Sequence, residues 1–316
     1  MVNNLTLDEY KDRCYKLENE FKFPWKDNHL SKIIIKTKNT SKNLIKGYET
    51  TDIMNQCFEA YKKFHSSCLD YMEKDVILDD DILLLSAAFE NYARDSYLFV
   101  GGQNHITQSQ YLSSIPSTFF TVLLYPLAKK YNFLVGNEIS LPSNNKIGKK
   151  KNKNQDVAVY VKSPYSEDNI PLLFGECKDT YIDSTMLSGT HSTTESTINA
   201  FPFSKGVILT SSNSVAQDSS AISDFEKIGK FFVYGFQKRE RDYNKRIDTQ
   251  VILDFYYYSN EFLSKINLTE VFEIVNQKFP NSIEAENSKI LSYIKEEGFS
   301  FTSINIDEAG SMYLYR

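Results

Sequence analysis

The stretch NQDVAVYVKSPYSEDNIPLLFGECKDT, residues 154–180, constrains this chain more than any other. It holds two apolar runs rich in β-branched and aromatic residues, VAVYV and IPLLFG, around a turn-rich spacer, which is the pattern of two paired strands. Yet Asp156 opens the first run, and Glu176-Cys177-Lys178 closes the second. Alternate side chains of a strand share a face, so Glu176 and Lys178 point one way, with Leu172 and Phe174 behind them. Cys177 points the other way, into the core. Antiparallel pairing brings the start of the first strand beside the end of the second, which puts Asp156 next to Glu176 and Lys178. Two carboxylates and an amine at a sheet rim are costly to desolvate unless something compensates. A divalent cation does: Mg²⁺ takes hard oxygen ligands, usually one or two carboxylates, and keeps waters and phosphate oxygens around it. Such an ion polarises a phosphate and acidifies a bound water, while a lysine steadies developing negative charge. Those parts suffice to hydrolyse a phosphodiester bond.

The rest of the chain is organised around that pair. Residues 1–100 read as helical: Thr6 and Glu9 have capping-box spacing, and TDIMNQCFEAYKKFHSSCLDYMEK repeats Ile53, Cys57, Tyr61, Phe64 and Cys68 at helical intervals. DDDILLLSAAFENYARDSYLFV follows with acids in its first turn, and GGQN at 101–104 marks a boundary. SIPSTFFTVLLYPLAKKY predicts a helix, or two half-helices interrupted at Pro126, leading into FLVGNEISL as a strand. After the paired strands come a Ser/Thr-rich segment of weak helical character, a buried strand (KGVILTSS), a helix (AISDFEKIGK) and a strand (FFVYGF). The fold class expected is α/β, a mixed central sheet flanked by helices. The last fifty or so residues read as two helices, LTEVFEIVNQKF and EAENSKILSYIKEEG, and a hairpin of FSFTSINI and SMYLYR, the string of a small α+β subdomain.

Composition excludes more than it selects. In 316 residues, 41% hydrophobic and 14% aromatic, there is material for a large core, and the net charge of -5 is not that of a basic nucleic-acid binder, so local charge must carry any such interaction. Cys14, Cys57, Cys68 and Cys177 have no paired spacing and form no Cys/His metal set with the four histidines; reduced thiols in a cytoplasmic protein are expected. No signal peptide is legible, and the longest apolar runs are about half of a bilayer span, so no membrane is expected as a partner.

Asp156, nineteen intervening residues, and then Glu176-Cys177-Lys178 resemble the signature of the PD-(D/E)XK nuclease superfamily, in which the Asp opens the second core strand and the (D/E)XK closes the third. The order of elements on either side agrees over about residues 106–260. Gln155 stands where the signature has proline. The resemblance implies a restriction-endonuclease-like core over residues 106–262. A helical N-terminal region over residues 1–105 would be a candidate for DNA recognition or dimerisation, and a helix-helix-hairpin subdomain would occupy residues 263–316. It further implies Asp156 and Glu176 as metal ligands, the Cys177 backbone carbonyl as a third oxygen, and Lys178 as the catalytic amine. The implied activity is Mg²⁺-dependent cleavage of double-stranded DNA to a 5′-phosphate and a 3′-hydroxyl. The member implied is a type II restriction enzyme, acting as a homodimer beside a cognate DNA methyltransferase. A repair or phage-defence nuclease without a fixed target, and a catalytically silent nucleic-acid-binding protein on the same fold, are the alternatives. The triplets Glu9-Tyr10-Lys11 and Glu20-Phe21-Lys22 match acid-x-Lys too, but in a polar helical region where such charges are ordinary surface.

Lys146, Lys149, Lys150, Lys151 and Lys153 crowd the approach to Asp156 and are candidates for phosphate contact, or a solvated loop tip. The run Lys238, Arg239, Arg241, Lys245 and Arg246 is diluted by Glu240 and Asp242. Glu138 could add a carboxylate and His191 a base; an exposed strand acid and a solvated loop histidine are their ordinary readings. Asp179 and Asp183, close behind the motif, are placed in a loop that caps the next helix.

Overall fold

A computed structural model describes residues 50–100, 105–142, 152–164, 168–178, 182–215, 220–235 and 246–278, together with 12, 16, 23–25, 304–306 and 312–314. Outside them lie the Thr6 capping box, GGQN, Lys146 to Lys151, Asp179, residues 236–245 and the segment EAENSKILSYIKEEG.

Three long helices lead into the sheet: α1 (Thr50–Met72), α2 (Asp79–Val100) and α3 (His105–Lys130). The helical repeat read in α1 is buried where it is described, with Tyr61, Phe64 and Cys68 at 1% exposure or less. At the start of α2 the Asp81 carboxylate accepts from the Leu78 N–H at 2.9 Å, satisfying one of the donors a helix start leaves unpaired. Pro126 does not divide α3, which runs unbroken through Pro116 and Pro126. The lost N–H bonds are outweighed by burial, because Phe119, Phe120, Val122, Leu123, Leu124, Leu127 and Ala128 are all inside the core.

The sheet strands are β1 (Leu134–Gly136), β2 (Ile139–Pro142), β3 (Asn152–Gln155), β4 (Val157–Lys162), β5 (Asn169–Lys178), β6 (Lys205–Thr210) and β7 (Gly229–Val233). Five of them form a mixed sheet in the order β1-β4-β5-β6-β7, antiparallel up to β5 and parallel from β5 to β7. The expected FLVGNEISL strand is in fact two: β1 stays in the main sheet, whereas β2 leaves it to pair with β3. The break falls at Asn137-Glu138, where Glu138 takes a left-handed φ of 49°. The partner bends at the same level, because Asp156 separates β3 from β4.

Helices cover both faces. Val157, Val159, Leu173, Cys177, Val207 and Leu209 point into one cluster with α1, α2, α3 and the helix α6 (Thr249–Ser264). The N-terminal helices therefore share a core with the sheet. The opposite face meets α4 (Ser184–Ala200) and α5 (Ala221–Glu226), through Ile208, Leu187 and Phe225, and through Phe174 and Ala158 under β2. Gly206 lets α4 lie close: a Cβ there would come within 2.2 Å of the Thr194 methyl. Leu172 departs from the expected alternation and joins the first cluster, because a register shift beside Val159/Tyr160 gives β5 an extra residue there. The helix α6 has no counterpart in the sequence reading. Its Ile252, Phe255 and Tyr256 bury against the first face. Beyond it lie α7 (Leu268–Lys278) and an antiparallel hairpin of β8 (Ile304–Ile306) and β9 (Met312–Leu314).

Candidate active site

β4 and β5 pair with Val157 opposite Gly175, so the residues one step outward, Asp156 and Glu176, face each other at the end of the ladder. Ala158 and Phe174 belong to the α4 face, and by alternation so do Asp156, Glu176 and Lys178. The Asp156 carboxylate accepts a hydrogen bond from the Cys177 N–H at 2.8 Å, and the Asp156 carbonyl accepts from the Ser117 hydroxyl on α3 at 2.5 Å. The bend is thus pinned from the neighbouring strand and from the helix beneath. Ser117, buried at 4% exposure, was not singled out in the sequence. Its only mark is a hydroxyl amid the apolar run SIPSTFFTVLL.

Lys178 Nζ lies 2.8 Å from Glu176 Oε2, both side chains being about three-quarters buried at 24% and 21% exposure. Burial pushes the Asp156 carboxyl up to about 7, and the negative charges of Glu176 and Glu138 push in the same direction, against Lys178 and the Cys177 N–H. For Lys178, burial pulls downward, but the charge and hydrogen bond of Glu176 and the charge of Asp156 outweigh it and raise the amine above its ordinary value. The lysine is therefore a cation at neutral pH, a donor rather than a base. The carbonyl of Cys177 shares the strand edge of its N–H, the side on which β4 has ended, which places it toward Asp156.

Glu176 and Lys178 from β5 line a cleft of about 230 Å³ together with Met186, Gly189, Thr190 and Thr193 from α4. The Ser/Thr-rich segment is thus a helix wall, capped by Asp183, whose carboxylate accepts from the Met186 N–H at 2.8 Å. Glu138 is exposed and acts on Asp156 through charge alone. His191 is turned away, its ring edge-on to Phe225 with centroids 6.3 Å apart. Lys153 lies in β3 opposite Leu141. Two buried amide atoms at the bend, Asn137 Oδ1 and Gln155 Nε2, have no hydrogen-bond partner among the described residues.

Among the described residues no group of three or more His, Cys, Asp and Glu side chains is arranged to hold a metal ion. The donors that do converge, two carboxylates and a backbone carbonyl, are all oxygen, and that number of carboxylates fits an ion such as Mg²⁺ that keeps several waters. No described helix is long and apolar enough to cross a membrane.

No family model matches the chain, and no curated protein does. Among solved structures, a chain of the native BbvCI A2B2 tetramer matches with a TM-score of 0.51, covering 74% of this chain and 98% of that one at 17% identity. At that identity the likeness is one of fold. The mixed five-stranded sheet flanked by helices is consistent with a restriction-endonuclease-like fold.

Proposed function

We propose that the chain is a Mg²⁺-dependent DNA endonuclease that cuts both strands of a specific duplex site, as a type II restriction enzyme. The observation that carries the reading is the largely buried cluster at the end of β5, where Asp156 hangs from the Cys177 N–H beside a Glu176–Lys178 ion pair that lines a cleft. The fold supports it, the mixed sheet flanked by helices being consistent with a restriction-endonuclease-like fold.

Asp156, Glu176 and the Cys177 carbonyl would hold the ion. When bound, Mg²⁺ supplies positive charge that polarises the scissile phosphate and acidifies a water. Asp156 is receptive because burial disfavours its charged form, so a cation relieves more there than at an exposed acid. Lys178, kept charged by its acidic neighbours, orients the attacking water and stabilises the negative charge growing on the phosphate. In-line displacement then leaves a 5′-phosphate and a 3′-hydroxyl. Cutting both strands of a symmetric site calls for a two-fold homodimer, and a cognate DNA methyltransferase would protect the host's copies of the site. Lys146, Lys149, Lys150, Lys151 and Lys153 would add sequence-independent phosphate affinity.

Incubating the purified protein with a large plasmid and Mg²⁺, then sequencing the fragment ends, tests this reading. Discrete fragments with 5′-phosphates are expected; a smear would point to a nuclease without a fixed target, and intact plasmid would overturn the reading. One observation favours the silent-fold alternative: Lys178 already occupies the Glu176 carboxylate that the ion needs. In that case Mg²⁺ binding would show no dependence on Asp156.

A further inference from the structure

The wall of the cleft opposite the charge cluster has two features that the proposed chemistry does not use. Met186, Gly189, Thr190 and Thr193 stand at i, i+3, i+4 and i+7 of α4, one helix face aimed at Glu176 and Lys178. Within it, Thr193 and Thr197 spend their hydroxyls on carbonyls four residues back, Gly189 at 3.0 Å and Thr193 at 3.1 Å, as helical threonines commonly do. Thr190 does not. It is only 7% exposed and it lines the cleft. A hydroxyl on the cleft wall that its own helix does not take up is open to a ligand atom.

Gly189 is the second feature. Glycine is among the least favourable residues inside a helix, and it is retained where packing forbids a side chain or where something approaches the backbone. Packing forbids nothing here: a Cβ at Gly189 would meet no atom within 4 Å. The contrast with Gly206, whose Cβ would strike Thr194 at 2.2 Å, is direct. The open space beyond Gly189 lies in the cleft.

We propose that Gly189 and Thr190 position the nucleic-acid backbone against α4, with the Thr190 hydroxyl donating to a phosphate oxygen and the bare Gly189 step leaving room for the adjoining sugar. This deepens, and rests on, the nuclease reading above. Thr190 is a positioning residue: it fixes where the phosphodiester lies relative to Lys178 and takes no part in bond making.

The test is binding of a fluorescein-labelled DNA duplex of mixed sequence, followed by anisotropy with Ca²⁺ in place of Mg²⁺ so that nothing is cut, with plasmid cleavage and thermal melting alongside. Thr190→Val keeps the shape and removes the hydroxyl; about tenfold weaker binding is expected, the size of one lost hydrogen bond to a charged group. Thr190→Ser should bind within about twofold of the unaltered chain, since it restores the donor. Gly189→Ala should melt about 2 °C higher through helix propensity, yet bind about tenfold more weakly. Unchanged binding by Thr190→Val or by Gly189→Ala overturns the assignment, as does a Thr190→Ser variant as weak as Thr190→Val. If the unaltered chain cuts plasmid while these variants bind as it does, only the α4 assignment falls. If it neither binds the duplex nor cuts, the nuclease reading falls and takes the assignment with it.

Discussion

Replacing Asp156 with asparagine should make the metal-free protein more stable while destroying its metal site. Asparagine has nearly the same shape, and its carbonyl can take the Cys177 N–H that Asp156 accepts at 2.8 Å. What it removes is a charge the fold disfavours. Burial first, and then Glu176, raise the carboxyl from an ordinary 3.8 to about 7. In the folded state the group keeps a proton that the unfolded chain gives up at lower pH. Its contribution is therefore intact below about pH 4, declines as pH rises towards 7, and is fully lost above that. At 1.36 kcal/mol per pH unit the ceiling is about 4 kcal/mol. That figure is already net of the attraction to Lys178; relaxation and water penetration around the charged form reduce the gain to about 2 kcal/mol. For a chain of this size that corresponds to a rise in Tm of about 4 °C. The assay is thermal melting of both proteins in EDTA at pH 8 and pH 4, with a higher Tm for Asp156→Asn at pH 8 and a difference near zero at pH 4. A variant that melts at or below the parent at pH 8 refutes the reading of a strained carboxylate cluster.

Lys178→Ala should lower the cleavage rate at least about 100-fold, the size of losing one electrostatic stabiliser, with duplex binding in Ca²⁺ little changed. At limiting Mg²⁺ the cleavage rate should climb about tenfold per pH unit below about 7 and level off above it, because the proton on Asp156 competes with the ion; a rate indifferent to pH between 5 and 8 would contradict this. Ser117→Ala removes the hydroxyl that holds the Asp156 carbonyl at 2.5 Å, and should cost about 1 kcal/mol by denaturant melting together with a fall in cleavage rate.

The hairpin and its charge cluster were legible because both rest on the two-residue period of a strand. VAVYV and IPLLFG had to bury one face each, and an acid at the start of one must then meet the acid and amine at the end of the other. What the sequence hid was tertiary. A left-handed φ at Glu138 carries no residue-level mark, since glycine or asparagine would be the expected choice there, so β1 and β2 read as one strand. The helix α6 opens with TQVILDFYYY, whose β-branched and aromatic content favours a strand locally. It is helical because Ile252, Phe255, Tyr256, Ser259 and Leu263 bury on one side at helical spacing. The segment α4 looked weak because its buried face is mostly threonine, with Leu187 and Ala200, and it lies against the sheet because Gly206 makes room for Thr194. The cleft wall was invisible for the same reason, its residues being small and polar rather than charged.

Calorimetric titration of Mg²⁺ into the unaltered chain and into Asp156→Asn tests the central claim most directly, since it asks whether the paired carboxylates hold a metal at all, independent of any substrate. Saturable heat in the first, absent from the second, is the expected result. Identical heats in both, or no binding in either, would contradict a metal centre at the end of β5.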